Sequence, residues 1–262
     1  MNFLRPLAGT PLKVSALGLG TVKFGRNQGV KYPTGFDLPD NQTIIRLLAR
    51  ARELGINLLD TAPAYGSSEQ RLGELLEHRH DWVIVTKVGE EFADGQSSFD
   101  FTAAHTRLSV ERSLQRLRTD YLDLVLIHSD GNDLDIINHS DCIETLRQCQ
   151  QAGLVRHIGM SIKTDAGGVL AAQLLDVLML TWNLQQQDRA TLAEATALNK
   201  GVLVKKGLMS GHLQSRGRDL VLESMQLNFS QPHIHSMIVG TLNTDHLEFN
   251  VKTANAVIAR QS

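Results

Sequence analysis

Two cysteines, six prolines and 5% aromatic residues leave this 262-residue sequence poor in the groups that staple, kink or stack a chain. Cys142 and Cys149 fall in one expected helix, on the same face but two turns apart, which is too far for a disulfide. A disulfide-framed secreted fold is therefore excluded, and reduced thiols fit the cytosol. No apolar run approaches the roughly 20 residues that span a bilayer, so no membrane partner is expected. The opening "MNFLRPLAGT" has no apolar signal core, which points to a cytoplasmic protein. A net charge of −2 supplies no basic field, so nucleic acid is not an expected partner. Metal hydrolysis lacks its marks too. There is no carboxylate cluster, and the one "HIH", His233 to His235, precedes an expected strand and so falls at the wrong end for a site.

What the chain does have is alternation. Short, continuously apolar runs at 14–20, 56–60, 82–87, 122–128, 155–161, 176–182, 201–206 and 235–240 read as strands buried on both faces, as in a parallel sheet. Between them lie amphipathic segments, among them 40–55, with Asp40 or Asn41 as N-cap and Gly55 as stop. Segments 101–120, 140–153, 187–199 and 242–260 also read as helical, whereas 164–174 and 207–230 show no clean pattern. Eight such repeats in about 250 residues predict an α/β fold, a (β/α)8 TIM barrel, with a doubly wound open sheet as the alternative. Residues 1–262 read as a single domain. A Gly-Thr-Pro turn between two short polar strands near the start predicts a β-hairpin closing the barrel floor.

Chemistry in such barrels sits at the C-terminal strand ends. Those ends are Gly20, Asp60, Lys87, His128, Ser161, Trp182, Lys205 and Gly240. Asp60, Lys87 and His128 are ionisable groups after apolar runs, and Tyr65 lies on the loop after the first of them. Taken singly, each has a plain reading: a loop-fixing carboxylate, a snorkelling lysine, a core histidine, a loop anchor. Their occurrence at three successive barrel mouths favours a common site.

The segments "LLDTAPAYGSSEQRLGELL", "IVTK", "DLVLIH", "VRHIGMS" and "SMIVGTLNTDHLEFN" together resemble the aldo-keto reductase family, from near residue 8 to near 252. The resemblance implies NAD(P)H-dependent reduction of a small aldehyde or ketone. It assigns a catalytic tetrad to Asp60, Tyr65, Lys87 and His128. Tyr65 would be the general acid, with a pKa lowered by the Lys87 ammonium. Asp60 would hold Lys87, and His128 would donate a hydrogen bond to the substrate oxygen. With no GxGxxG after the first strand, and "VKFG" rather than a helix following it, a Rossmann reading fails.

By the same resemblance the dinucleotide runs across the later strands. Gly20, Thr21 and Asp60 lie near the nicotinamide end, and Ser161 bonds the carboxamide. Lys205, Lys206, Gly207, Leu208, Ser210 and Gly211 wrap the pyrophosphate. Gly240, Thr241, His246 and Asn250 hold the adenosine end. Asn243 could equally serve only as a helix cap. The sequence departs from the family pattern at Ile162, Met179, Lys205 and His246. These imply altered nicotinamide anchoring and leave NADPH as the expected cofactor with NADH as the alternative. Either Lys205 or Lys206 could face the nicotinamide. The short chain end and the short loop after His128 predict an open mouth, with Val22, Phe24, Trp82, Phe92 and Trp182 as candidate lining. A monomer or weak homo-oligomer is expected, and the second reading is a nucleotide-sensing regulatory subunit of the same fold.

Overall fold

The computed structural model describes residues 4–30, 35–209 and 218–260. Strands β1 (Leu4–Pro6) and β2 (Lys13–Ser15) open the chain, followed by β3 (Leu17–Gly20), α1 (Val22–Gly25), α2 (Asn41–Glu53), β4 (Leu58–Asp60) and α3 (Ser68–Leu75). Next come β5 (Val83–Val88), β6 (Glu90–Ala93), β7 (Gln96–Phe99), α4 (Ala103–Leu117), β8 (Leu122–His128), α5 (Asp133–His139) and α6 (Cys142–Gln151). The remainder is β9 (Val155–Ser161), α7 (Asp165–Leu174), β10 (Val177–Thr181), α8 (Arg189–Ala197), β11 (Gly201–Lys205), α9 (Arg218–Phe229), β12 (Ser236–Val239) and α10 (Thr244–Ala259). The strands β3, β4, β5, β8, β9, β10, β11 and β12 close in that order into a parallel barrel. This is the (β/α)8 architecture, and it excludes the open sheet.

The apolar runs are continuous because each strand buries both faces. Leu58, Val83, Val85, Leu124, Leu126, Val177, Met179 and Leu203 fill the barrel interior. Leu59, Ile84, Val125, Ile127, Leu178 and Val202 join the layer shared with the helices. Each fully buried aliphatic side chain contributes about 1.5–3 kcal/mol relative to exposure. The antiparallel pairing of β1 with β2 makes the expected floor hairpin, and Leu7 and Val14 from it plug the interior.

Helix α2 shows how local code and packing agree. The Asp40 side chain accepts from Thr43 N, Ile44, Leu47, Leu48 and Ala51 make the buried stripe, and Gly55 stops the helix at φ +74°. Asp40→Ala would cost about 1 kcal/mol through the lost cap.

Several elements differ from the sequence expectation. Residues 22–25 do form one helical turn, though not a crossover helix. Segment 164–174 is helical in α7, capped by Thr164. Its pattern is faint because small residues let neighbours come close: a Cβ on Gly167 would lie 2.1 Å from Asp133 Cβ, and one on Gly168 2.1 Å from Thr191 Oγ1. Part of 207–230 is helix α9. The antiparallel pair β6–β7 after β5 was not foreseen. It turns at Asp94-Gly95, both at positive φ, the hairpin turn that an Asp-Gly pair favours.

Candidate active site

The loop after β4 carries Tyr65, and glycines explain its path. Pro63–Tyr65 is a single 3₁₀ turn with proline at its start. Gly66 then takes φ +60°, and a Cβ there would lie 2.2 Å from Gly25 O. The Tyr65 loop therefore lies directly against the end of α1. Behind it, Ser68 Oγ donates to Thr21, which in turn bonds the carbonyl of Asp60. The rest of the motif serves packing. Glu69 reaches behind the barrel to Thr86 at 2.6 Å and to Arg116, and a Cβ on Gly73 would meet Arg116 O at 2.0 Å.

At the mouth, Lys87 Nζ donates to Asp60 Oδ1 at 2.6 Å, to Thr61 O at 2.8 Å and to Tyr65 Oη at 3.3 Å. The Tyr65 and His128 rings stand edge to face with centroids 6.3 Å apart. Four residues separated by up to 68 positions thus surround one point above the barrel. The register places Gly20 beside Asp60 and Lys87 beside Leu126.

The electrostatics depart from the sequence argument in two ways. Tyr65 is expected to have its pKa lowered by Lys87. Instead burial, then the charges of Asp60 and Glu90, push it well above its ordinary value, against a smaller pull from Arg26. Tyr65 therefore holds its proton until a strong base forms beside it. The second departure concerns Glu90, from the unforeseen hairpin. Its Oε2 lies 2.8 Å from His128 Nδ1, and its Oε1 is 3.5 Å from Arg26 and accepts from Ser97 Oγ at 2.6 Å. Burial opposes the Glu90 charge, but His128, Ser97 and Arg26 outweigh it and the carboxyl titrates at about 2. Burial also lowers the His128 pKa, against the pull of Glu90. With the ring neutral, a carboxylate 2.8 Å from Nδ1 favours the tautomer protonated on that nitrogen. His128 Nε2 is then an acceptor, and the expected donation to a substrate oxygen requires a second proton on the ring. The "ADGQ" turn was the sequence signal that could have exposed the hairpin and hence Glu90.

Lys205 and Lys206 separate cleanly. Lys205 points into the mouth, where its Nζ donates to Ser161 Oγ at 2.8 Å and to Ile162 O. Lys206, at φ +57°, is exposed. The lysine on Ser161 is thus Lys205, and its charge lies at the nicotinamide end of the expected path rather than on a pyrophosphate. Gly207 and Leu208 are buried, and a Cβ on Gly207 would strike Met237. Ser210 and Gly211 lie outside the described residues.

Of the remaining expected contacts, Thr21 is fully buried, with its hydroxyl spent on the Asp60 carbonyl and Ser68. Ile162 and Met179 are buried apolar residues. Gly240 follows β12, and the buried Thr241 accepts from Asn243 N. Asn243 caps α10 through the amides of Asp245 and His246, and His246 is exposed. Phe24 is buried, Phe92 lies under the Arg26 guanidinium at 3.5 Å, and Trp182 stands just beyond β10. Trp82 is a correction. It precedes β5 and donates to Glu77 O at the floor, so it does not line the mouth.

A dinucleotide is the cofactor this arrangement has to fit. Asn250 is fully buried on α10, yet neither its Oδ1 nor its Nδ2 has a partner among the described residues. The buried Trp182 Nε1 is likewise unpartnered among them. Orphaned buried polar groups are rare in folded proteins. With the unpartnered Trp182 Nε1 just beyond β10 and the Lys205–Ser161 pair on neighbouring strands, the mouth offers polar groups that an elongated polar ligand can use, so the residues fit.

A closed parallel barrel with a buried lysine–aspartate pair reaching a tyrosine at its mouth has the parts of a proton-donating site. Residues 16–220 match the model of the Aldo/keto reductase family, and the chain belongs to that family. A Pseudomonas aeruginosa chain solved as a candidate aldo-keto reductase is 52% identical, with TM-score 0.89 and coverage of 98% of this chain and 96% of that one. L-galactose dehydrogenase of Arabidopsis thaliana is 29% identical over 95% of this chain and 86% of its own. The NADH-specific methylglyoxal reductase of Escherichia coli is 29% identical over 79% and 68%. The family comprises oxidoreductases that use nicotinamide cofactors.

Proposed function

We propose that the protein reduces a small aldehyde or ketone to an alcohol, with Tyr65 as general acid. The observation that supports this most is Lys87 Nζ bridging Asp60 and Tyr65 at the barrel mouth. A bound reduced nicotinamide would supply the hydride. As the carbonyl oxygen gains charge it becomes a strong base, and the Tyr65 phenol meets it with a proton. Lys87 stabilises the phenolate left behind, Asp60 holds Lys87 in place, and His128 would orient the oxygen once its ring carries a second proton. The cofactor side of the reading runs past Gly20, Ser161, Lys205, Gly207, Leu208, Gly240, Thr241 and Asn250, with Lys206 on the exposed face.

NADPH is the favoured cofactor, by a modest margin. His246 stands exposed at the start of α10. However, Asn243 already takes the Asp245 and His246 amides, and Asp245 adds a negative charge beside them. His246→Ala should narrow the preference, and an unchanged NADPH:NADH affinity ratio would remove His246 from the 2′-phosphate site. The chain is read as one catalytic domain, cytoplasmic, and monomeric or weakly associated.

The direct test is Tyr65→Phe. General acid catalysis is worth a factor of about 10²–10⁴, so reduction of a reactive aldehyde should fall by that much while NADPH titration of tryptophan fluorescence stays unchanged. Near-normal turnover would show that Tyr65 is not the acid.

A further inference from the structure

The mouth contains two lysines on opposite walls. Lys87 is on β5 and Lys205 on β11, four strands apart in a ring of eight. Their surroundings differ. Lys87 has Asp60 at 2.6 Å. Lys205 has only neutral acceptors, Ser161 Oγ and the Ile162 carbonyl, and among the described residues no carboxylate pairs with it. Asp188 and Asp133 act on it only through their charge, and their bonds run to other groups, with Asp133 Oδ1 unpartnered among the described residues. Asp188 accepts from Thr181 N at 2.7 Å and from Gln186. Asp133 Oδ2 accepts from Lys163 N, Thr164 N and Thr164 Oγ1.

A ring that delivers hydride to a carbonyl carbon whose oxygen faces Tyr65 has to lie between these walls, and so beside Lys205. Reduced nicotinamide is neutral, whereas the oxidised ring carries a positive charge. An unbalanced ammonium next to it disfavours the oxidised form alone. We propose that Lys205, held against Ser161 and Ile162 O without a paired carboxylate, makes the site bind reduced nicotinamide in preference to oxidised and so drives release of the spent cofactor. This rests on the reading of the mouth as a nicotinamide site.

The preference is set by pH. Burial and the neighbouring Lys206, with Lys87 adding to them, bring Lys205 down to about 7, against the pull of Asp188 and Asp133. His128 is the other titratable group facing it, and Lys205 in turn lowers its pKa. Below pH 7 the ammonium is charged and the oxidised cofactor is repelled. Above it the repulsion fades, and alcohol oxidation gains.

The test uses the full chain and measures dissociation constants of NADP⁺ and NADPH by fluorescence titration from pH 6 to 8.5. The 2′-phosphate is common to both forms and cancels in their ratio. In the wild type, Kd(NADP⁺)/Kd(NADPH) should fall about tenfold across that range, the size of one charge felt through partly buried protein. Lys205→Met should give a flat ratio at the high-pH value. Lys205→Arg, charged throughout, should give a flat ratio at the low-pH value, a result no merely structural role predicts. A ratio that Lys205→Met leaves unchanged at every pH overturns the proposal. So does Lys205→Met retaining the wild-type slope, which would move the effect to His128. If neither form binds at any pH, the nicotinamide reading itself fails, and this inference with it.

Discussion

Asp123 and Asp60 are both buried aspartates on barrel strands, one at the floor and one at the mouth. Asp123 is saturated. It accepts from Ile84 N at 3.0 Å, from Arg79 at 2.7 Å and from Arg156 at 3.3 Å. Its neighbours at the floor follow suit, with His235 accepting from Val202 N and Arg5 donating to Ile234 O. At the mouth, by contrast, Asp60 is tied to a lysine that also reaches a tyrosine, and among the described residues no carboxylate pairs with Lys205. The floor aspartate is fully paired, whereas the mouth aspartate sits in a network left with capacity to bind something else. Position on the barrel, and not residue type, separates the two roles.

Lys87→Met should show the largest effect. It strands Asp60 in a buried site, so stability should fall by about 3–5 kcal/mol, and turnover should collapse. Adding Asp60→Asn should recover most of the stability and none of the activity. Chemical denaturation of the single and double variants checks this, and full recovery of both would break the contrast between the two ends.

At the floor, His235 should give a purely structural pH dependence. Burial, then His233 and Arg5, lowers it to about 4, and the Val202 amide that donates to Nδ1 favours the neutral ring as well. The unfolded chain takes up that proton near 6.5, so between the two values it binds more protons and stability rises with pH. The contribution is complete above about pH 6.5 and is lost as pH falls to about 4. At its fullest it amounts to about 3 kcal/mol. Urea unfolding from pH 4 to 7 should show this slope, and His235→Asn, which keeps an acceptor for Val202 N, should flatten it.

Asp123→Asn should cost about 1–3 kcal/mol through groups left poorly paired, with kcat/KM unaltered. A loss of activity would mean that the two ends are coupled. The smallest effect should come from Asn250→Leu. Removing an unpartnered buried amide should stabilise the protein without cofactor by roughly 1 kcal/mol, and cofactor affinity should fall. A lower Tm would show that the amide is satisfied after all.

Strand order, the floor hairpin and the strand-end positions of Asp60, Lys87 and His128 were legible in the sequence. Each depends on a local pattern: a continuous apolar run, a turn signal, or an ionisable residue at the end of a run. The Asn243 cap was legible for the same reason, and the Asp94-Gly95 turn could have been. Helix α7 was not, since its glycines serve contacts with Asp133 and Thr191 that lie in other repeats. Tertiary structure alone decided that Lys205 rather than Lys206 faces Ser161, that Glu90 sits on His128, and that Tyr65 is pushed up rather than down. Each depends on pairs brought together by barrel closure. A side chain's direction reverses with one residue of register, and a charge's effect depends on which partners burial leaves beside it.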